Sequence, residues 1–226
     1  MRHEQLHRRP QSGQGRAAAN WAHVRRRLDS DPRALRVETE AAEIWTVPDF
    51  INADECANLM AMIDRTAQPS QVLDHGYKEV WRTSSSGNVD RANPFVHMLE
   101  SRIDELLGIP HGYGETMQGQ RYLIGQEFKY HLDLFWTKAD YWKKEAKQGG
   151  QRSITAMCFL NDVEEGGDTA FTDIGIAVPP ERGKLLIWNN HTPTGLPNEM
   201  TMHAGTPVLK GKKYIITKWY RTRKWG

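Results

Sequence analysis

His131 and Asp133 have the clearest chemical potential in this chain, because they stand two positions apart within residues 128–135. On a β-strand, residues two apart point to the same side, whereas on a helix they diverge. The aromatic residues of this segment favour a strand. The spacing therefore predicts a pair of ligands for a metal ion. The alternative is a surface histidine beside a solvated carboxylate, since a His-x-Asp pattern alone is weakly specific.

A third ligand would complete the set of two histidines and one carboxylate that suits Fe(II), because three positions on the metal then stay open. Of the nine histidines, only His191 and His203 follow the His-x-Asp pair. His191 lies in a segment rich in Pro and Gly, and we interpret it as a residue that stabilises its loop. His203 directly precedes the last predicted strand pair and is the preferred third ligand.

Lys213 supports the choice of His203. A turn at 210–212 lets the segment 213–221 fold back beside His203, and alternation then places Lys213 and Arg221 on one face with residues 215, 217 and 219. Cations that face a barrel interior are costly unless they meet an anion. A dicarboxylate that chelates the metal with one end would supply that anion. In the alternative interpretation these cations face solvent, as we expect for Lys212, Lys218 and Arg223.

The elements around these residues predict a mainly β fold with flanking helices. A short strand over 44–50 precedes a helix that Asn52 caps and that runs to about Thr66. A second helix runs from about Pro94 to Leu107, and Gly108 ends it. A polar turn is expected over 82–87, and a long polar segment, 136–151, could be a mobile lid. Eight short strands follow the helices, which favours a jelly roll, the double-stranded β-helix. The predicted strands are 117–124, 127–134, 153–160, 168–172, 175–178, 184–189, 200–204 and 213–221.

Composition excludes several classes of protein. Of the 226 residues, 38% are hydrophobic and 26% charged, which argues against global disorder. We expect neither a membrane span nor a secretory signal, because no apolar run is long enough. The two cysteines, Cys56 and Cys158, are too few for a disulfide scaffold or a zinc ribbon. These features predict a reducing compartment, the cytoplasm.

Charge divides the chain into an arm, 1–36, and a body, 37–226. The arm holds nine arginines and no lysine against three carboxylates, a net charge of +6 that leaves −4 for the body. We expect the arm to be flexible or to form one short helix near 17–28. Contact with nucleic acid through the arm is a less favoured alternative, since no nucleic-acid-binding module follows it.

Residues 45–222 resemble the prolyl 4-hydroxylase family of Fe(II)- and 2-oxoglutarate-dependent dioxygenases. The resemblance rests on four blocks and two shorter upstream pieces, with a joint spacing that is highly specific. The blocks are Arg121-Tyr122 with Gly125-Gln126, His131-Leu132-Asp133 with Phe135, the segment 159–169, and His203 to Val208 with Gly211, Lys213 and Lys218-Trp219; the upstream pieces are 48–50 and 82–84.

The resemblance implies a jelly roll with helices outside it, and iron held by His131, Asp133 and His203. Lys213 would pair with the distal carboxylate of 2-oxoglutarate. It would be the one cation that the pocket needs besides the metal. The reaction would consume O2 and release succinate and CO2. Ascorbate is a further candidate reductant. Further residues match family positions for the co-substrate (Tyr122, Thr169, Trp219) or the substrate (Arg82, Ser84, Glu115, Arg152, Arg221).

A peptide or protein substrate, hydroxylated at proline, is what the resemblance implies. Three departures from the family pattern leave the substrate open. Leu134 follows the metal aspartate, where the family often has an aromatic residue; Phe128 stands where a tyrosine can occur; and Asp168 replaces a glutamate. Two alternatives therefore stay open. One is a 2-oxoglutarate oxygenase for a free amino acid, another residue type or nucleic acid. The other is a catalytically silent jelly-roll binding module.

Overall fold

The computed structural model describes residues 21–70 and 81–226. Within these ranges the chain forms four α-helices, α1 to α4: Ala22–Ser30, Ala53–Thr66, Pro94–Leu107 and Trp142–Lys147. The strands β1 to β14 are, in chain order, Leu35–Arg36, Ile44–Val47, Gln68–Pro69, Ser85–Asn88, Gln118–Tyr122, Phe128–His131, Arg152–Phe159, Glu165–Gly166, Thr169–Phe171, Ile176–Val178, Leu185–Asn189, His203–Gly205, Val208–Lys210 and Lys213–Arg221. Short 3-10 turns occupy His111–Tyr113, Thr172–Ile174 and Glu199–Thr201.

Two antiparallel sheets form the core of the molecule. The larger has the order β1-β2-β11-β7-β14-β5-β4-β3, the smaller the order β10-β9-β12-β6, and β13 pairs with β8. Phe159 and Trp188 of the larger sheet pack in one buried cluster with Phe171 of the smaller sheet. The predicted jelly roll, mainly β with helices on the outside, is confirmed.

The central strands β7, β11 and β14 of the larger sheet are buried on both faces. Along β14, Ile215 packs between the two sheets, whereas Tyr214 and Ile216 belong to the cluster that includes Leu59 of α2 and Leu99 of α3. Strands that are covered on both sides carry apolar residues at consecutive positions. The helices therefore close the outer face of the sheet and leave its inner face to the site.

The two central helices begin and end as their sequences predict. Asn52 caps α2 by accepting a hydrogen bond from the Glu55 amide, and the Glu55 side chain accepts one from the Asn52 amide. Pro94 opens α3, and Gly108 ends it in the left-handed region with φ 66°. The end positions were predictable because capping is local chemistry.

All eight predicted strands are present, with ends that differ by up to three residues. Five short strands were not predicted: β1, β3, β4, β8 and β13. The prediction of a polar turn over 82–87 was wrong, because Ser85–Asn88 forms strand β4, which pairs with both β3 and β5. Gly87 lies against α2, where an added Cβ would approach the Ile63 backbone to 2.6 Å. The glycine at this position therefore reflects a close approach of helix and sheet.

The described part of the predicted arm contains the one short helix expected there, α1 at Ala22–Ser30. Residues 21–36 pack on the body, with Trp21, Val24 and Leu28 buried in the helix-side core. Arg27 donates to the carbonyl oxygens of Glu105 and Leu106 at the C-terminal end of α3. Apolar burial and this interaction with carbonyls at the negative end of the helix dipole hold α1 in place. The first 20 residues of the proposed arm lie outside the described residues, as does 71–80.

Lys218 does not face solvent. Its ammonium is buried against α3, 2.9 Å from Asp104 Oδ1 and 3.6 Å from Glu100 Oε1. The expectation of an exposed lysine was wrong because the helices cover this face of β14. Burial lowers the pKa of Lys218, and the two carboxylates act in the opposite direction.

The segment 136–151 contains the short helix α4. The Glu145 carboxylate of α4 accepts from Arg221 at 2.5 Å, and Gln151 makes hydrogen bonds with the backbone N–H and C=O of Phe135. These bonds anchor both the helix and the residues that follow it. Among the described residues, no helix combines the length and apolarity needed to cross a membrane.

Candidate active site

His131, Asp133 and His203 come together at one end of the jelly roll. His203 on β12 lies directly opposite His131 on β6 in the antiparallel ladder. Asp133 lies two residues beyond the end of β6, and the strand predicted through 134 is shorter. One potential ligand atom from each residue lies within 4.8 Å of the other two. The structure thus places two imidazoles and one carboxylate around a single point.

The orientation of each side chain is fixed by a hydrogen bond. The Nδ1 atoms of His131 and His203 lie 2.8 and 2.9 Å from the carbonyl oxygens of Lys129 and Thr201. Carbonyl oxygens only accept hydrogen bonds, so Nδ1 carries the proton and Nε2 keeps its lone pair in a neutral imidazole. Both histidines therefore present Nε2 as a free ligand.

Asp133 is held by two residues that sequence analysis did not find. Thr155 Oγ1 donates to Asp133 Oδ2 at 2.6 Å, and Asn190 donates to Thr155 Oγ1 at 3.0 Å. Such partners orient a ligating carboxylate and leave its other oxygen available. A threonine inside a buried strand has no sequence signal for this role.

The electrostatics of the three residues favour metal binding. Burial lowers the pKa of His131 well below its usual value, and the neighbouring His203 adds to this effect. A neutral imidazole is the form that ligates a metal. Two nitrogens and one oxygen with open positions are the donor set of Fe(II) oxygenases. The residues present therefore fit an iron ion.

Lys213 lines the same pocket and is 2% exposed. Its ammonium forms no ion pair with any carboxylate in the described part of the chain, and it lies 5.4 Å from the ring centroids of Tyr122 and Phe159. Burial lowers the pKa of Lys213 to about 7, although Asp168 acts in the opposite direction. A buried cation of this kind is a ready partner for an anion.

The other predicted co-substrate residues also line the pocket. Tyr122, Thr169 and Trp219 contribute to its wall. The Tyr122 hydroxyl donates to Gln120 Oε1 at 3.3 Å, so Gln120 is a further pocket residue that sequence analysis missed. Ile215 and Thr217 separate Lys213 from Trp219 on the same face of β14, as the predicted alternation requires.

Three of the predicted substrate residues form an ion network instead of a free polar wall. Arg152 donates two hydrogen bonds to Glu115, at 2.7 and 2.8 Å, and Arg221 lies 2.5 Å from both Glu115 and Glu145. Burial opposes ionisation of Glu115, but Arg152 and Arg221 outweigh it and lower its pKa. Neither Glu115 nor Arg221 is among the residues that line the pocket.

Arg152 is nevertheless close to the pocket. Its guanidinium lies 3.9 Å from the ring centroid of Trp219, a cation–π contact that links the network to the pocket wall. Glu145 of α4 pairs with Arg221, and Arg221 pairs with Glu115, the partner of Arg152. The network therefore connects α4 to the pocket wall.

Arg82 and Ser84 are buried rather than part of an open loop. Arg82 donates to Ser84 Oγ at 2.8 Å and lies over the Phe128 ring, which is stacked on His131 with centroids 3.6 Å apart. These side chains thus form a layer beside the metal residues. The preceding residues 71–80 lie outside the described part of the chain.

His191 lies apart from the metal residues. It is buried in the loop after β11, its amide donates to Asn189 Oδ1, and burial lowers its pKa to about 4. The cluster of potential ligands contains His203 and not His191.

Leu134, the residue after Asp133, is buried.

Comparison with known proteins agrees with this site. Residues 117–221 match the model of the 2OG-Fe(II) oxygenase superfamily. Prolyl 4-hydroxylase 1 of Arabidopsis thaliana is 31% identical over 92% of this chain and 80% of its own length. Probable prolyl 4-hydroxylase 4 of the same plant is 28% identical over 84% of this chain and 70% of its own length.

Two solved prolyl hydroxylase structures share the fold of this chain. The viral collagen prolyl hydroxylase of Paramecium bursaria Chlorella virus-1, in its 2-oxoglutarate complex, has a TM-score of 0.61 and 25% identity, covering 79% of this chain and 95% of that one. A prolyl hydroxylase from Trichoplax adhaerens, in complex with a peptide fragment of hypoxia inducible factor, shares the fold with a TM-score of 0.61 and 14% identity, over 90% of each chain.

A jelly roll that brings two histidines, an aspartate and a buried lysine into one pocket defines a dioxygenase that depends on Fe(II) and 2-oxoglutarate. The sequence relatives refine this class. The chain belongs to the prolyl 4-hydroxylase family.

Proposed function

We propose that this enzyme hydroxylates a prolyl residue in a peptide or protein substrate, with Fe(II), O2 and 2-oxoglutarate as reactants and succinate and CO2 as co-products. The observation that carries the proposal is the unpaired, buried Lys213 in the same pocket as His131, Asp133 and His203. Proline as the target is supported by the relatives, which are named prolyl 4-hydroxylases.

In this proposal, Nε2 of His131, Nε2 of His203 and an oxygen of Asp133 bind iron. The bound iron supplies the activation of O2 and the oxidative decarboxylation of the co-substrate. Lys213 binds the distal carboxylate of 2-oxoglutarate. One metal dication with one aspartate carries +1, the dianion brings −2, and a protonated Lys213 makes the buried assembly neutral.

The remaining pocket residues orient the co-substrate. The Tyr122 and Thr169 hydroxyls provide hydrogen-bonding groups in the pocket, and Trp219 closes one side of it. Arg152, stacked on Trp219, and Arg82 with Ser84, beside Phe128, are proposed to contact the substrate at the mouth. Glu115 and Arg221 act indirectly, since their charges hold Arg152 and α4 in place.

The Thr155 hydroxyl should matter for metal affinity although it contacts no metal. Thr155→Val removes the donor to Asp133 while keeping the side-chain shape, and we expect Fe(II) affinity to fall about 10- to 100-fold. Thr155→Ser keeps a hydroxyl and should restore most of the affinity. Anaerobic metal titration of the two variants is the measurement, and equal affinities would contradict the role.

Binding of 2-oxoglutarate should depend on pH through Lys213. Its pKa is about 7 before the anion binds, and the anion raises it, so binding takes up a proton above pH 7. Affinity is therefore highest below pH 7 and falls by up to about tenfold per pH unit above it. Anaerobic calorimetry at pH 8 in two buffers of different ionisation enthalpy should show proton uptake; its absence would contradict the assignment.

The first test is an anaerobic absorbance titration with Fe(II) and 2-oxoglutarate. A visible charge-transfer band requires both on one iron, and its loss in His203→Ala supports the site. A folded protein without the band would favour the binding-module alternative. Mass spectrometry of proline-containing peptides and of matched peptides with alanine at the same position then tests the substrate. Oxygen incorporation into both peptide sets, or into neither, would move attention to a free amino acid or another substrate.

A cytoplasmic location is also proposed. Its support is that Cys56 and Cys158 are both free thiols and both buried. Peptide or protein partners are favoured over nucleic acid, because the arginines 25, 27, 33 and 36 already contact residues of the body, of α1 or of its C-cap, Asp31. An RNA or DNA binding assay in which affinity falls with salt would argue for the nucleic-acid alternative.

A further inference from the structure

A second group of metal-ligating side chains lies on the helix layer, outside the iron pocket. His97 and Glu100 stand three apart on α3 and share one of its faces, and His111 comes from the 3-10 turn that follows the helix. One potential ligand atom from each lies within 4.8 Å of the other two. Glu100 Oε2 is 3.7 Å from His111 Nε2. We call these three residues the α3 cluster.

The orientation of His111 decides which ring nitrogen faces Glu100. Its Nδ1 lies 2.7 Å from Asp104 Oδ2, so Nδ1 carries a proton. Asp104 is itself held by the Tyr220 hydroxyl at 2.5 Å and by Lys218 at 2.9 Å. In the neutral imidazole, Nε2 then presents a lone pair to the Glu100 carboxylate. A divalent cation placed between these two atoms would be bound by both of them.

The carboxylate–histidine arrangement is the one that metal sites use. A ligating histidine commonly donates its other ring N–H to a carboxylate, which fixes the tautomer and increases the basicity of the ligand. Here Asp104 is that carboxylate and Nε2 is the ligand atom. The arrangement is complete for His111 because Tyr220 and Lys218 hold Asp104.

The cations beside Glu100 distinguish the α3 cluster from a patch of acidic residues. Glu100 is fully buried and is paired with Arg91 at 3.1 Å and Lys218 at 3.6 Å. These cations offset the charges of Glu100 and Asp104, which leaves two imidazoles to provide most of the binding. His97 is exposed and opens the cluster to solvent on one side. Two nitrogens, one oxygen and an open position suit Zn²⁺ and similar divalent ions.

We propose that His97, Glu100 and His111 form a second metal site, for Zn²⁺ or a comparable borderline divalent cation, with water as the fourth ligand. The ion would tie α3 to the turn at 111–113. Through Asp104 the site also contacts β14, the strand that carries Lys213 on its opposite face. Its expected role is therefore structural, a clamp on the helix layer that is independent of the iron site.

The test separates the two sites with variants of the full, untagged chain. In an Asp133→Ala/His203→Ala background, the iron ligands are removed, and Zn²⁺ titration by calorimetry should show about one equivalent bound. Co²⁺ in the same background should give the visible bands of a four-coordinate ion. Adding His97→Ala should weaken Zn²⁺ binding by about tenfold or more, whereas His23→Ala, which removes an imidazole from α1, should leave it unchanged.

A second measurement covers the case in which the background variant does not fold. The unmodified chain, dialysed against Zn²⁺, should hold one equivalent more than His97→Ala does, by elemental analysis, and excess Zn²⁺ should raise its Tm more than that of His97→Ala. Equal Zn²⁺ content and equal Tm shifts in the two proteins would overturn the proposal. A proton on His111 Nε2, shown by NMR to persist in the presence of Zn²⁺, would overturn it too.

Discussion

Replacing Lys213 with alanine should weaken 2-oxoglutarate binding on the order of 10²- to 10³-fold while Fe(II) binding is retained. Lys213 is buried and has no other ion-pair partner in the described chain, so the distal carboxylate would lose its counter-charge in a desolvated pocket. Loss of one partner from such a pair costs about 2–5 kcal/mol, and each 1.4 kcal/mol is tenfold in affinity. Anaerobic titration of the charge-transfer band at fixed Fe(II) measures the change.

Two further variants make the Lys213 result specific. Lys212→Ala removes the same charge from the exposed neighbour and should leave co-substrate affinity unchanged. Lys213→Met keeps the buried alkyl chain, so it separates loss of charge from loss of packing. Because an unpaired buried charge destabilises a fold, Lys213→Met should match or exceed the parent in Tm. Unchanged 2-oxoglutarate affinity in Lys213→Met would exclude the assigned role.

Loss of His203 should abolish tight Fe(II) binding, whereas loss of His191 should not. His203 provides one of three ligand atoms, so its removal should exceed the ~10- to 100-fold that loss of an outer partner costs. His203 also packs against Trp188 and Phe171, and alanine would leave a cavity there. His203→Gln therefore serves as a second variant that fills most of the space.

His191→Ala is the matched control, because it also removes a buried imidazole near the end of the barrel. Circular dichroism should first establish that each variant is folded at the temperature used. Fe(II) affinity from anaerobic titration then decides between the histidines. Retained binding in both His203 variants with loss in His191→Ala would transfer the ligand role to His191.

Features with local periodicity were predictable from sequence. The His-x-Asp spacing and the alternation along 213–219 both depend on the two-residue repeat of a strand, and the structure places those side chains in one pocket. Capping likewise defined the start of α2 at Asn52 and the end of α3 at Gly108. In each case the determining interactions lie within a few residues of one another.

Features that depend on what covers a surface were not predictable. Lys218 looked like a solvent-facing lysine because alternation alone does not reveal that helices cover the outer face of β14. Glu115 and Arg221 are 106 positions apart, and only the folded chain shows that they neutralise each other. Thr155 is one more residue in an apolar strand until Asp133 is placed beside it.

The packing of α1 has a practical consequence for any shortened form of this enzyme. Removing residues 1–36 as a dispensable basic tail would also strip Trp21, Val24 and Leu28 from the core and uncover the apolar surface of α3 beneath them. Newly exposed surface of that kind promotes self-association. Aggregation of such a truncated enzyme would then be mistaken for a requirement for the arginines. A deletion that ends at residue 20 removes five of the acidic and basic residues of the segment, Arg2, Glu4, Arg8, Arg9 and Arg16, and keeps Trp21, Val24 and Leu28.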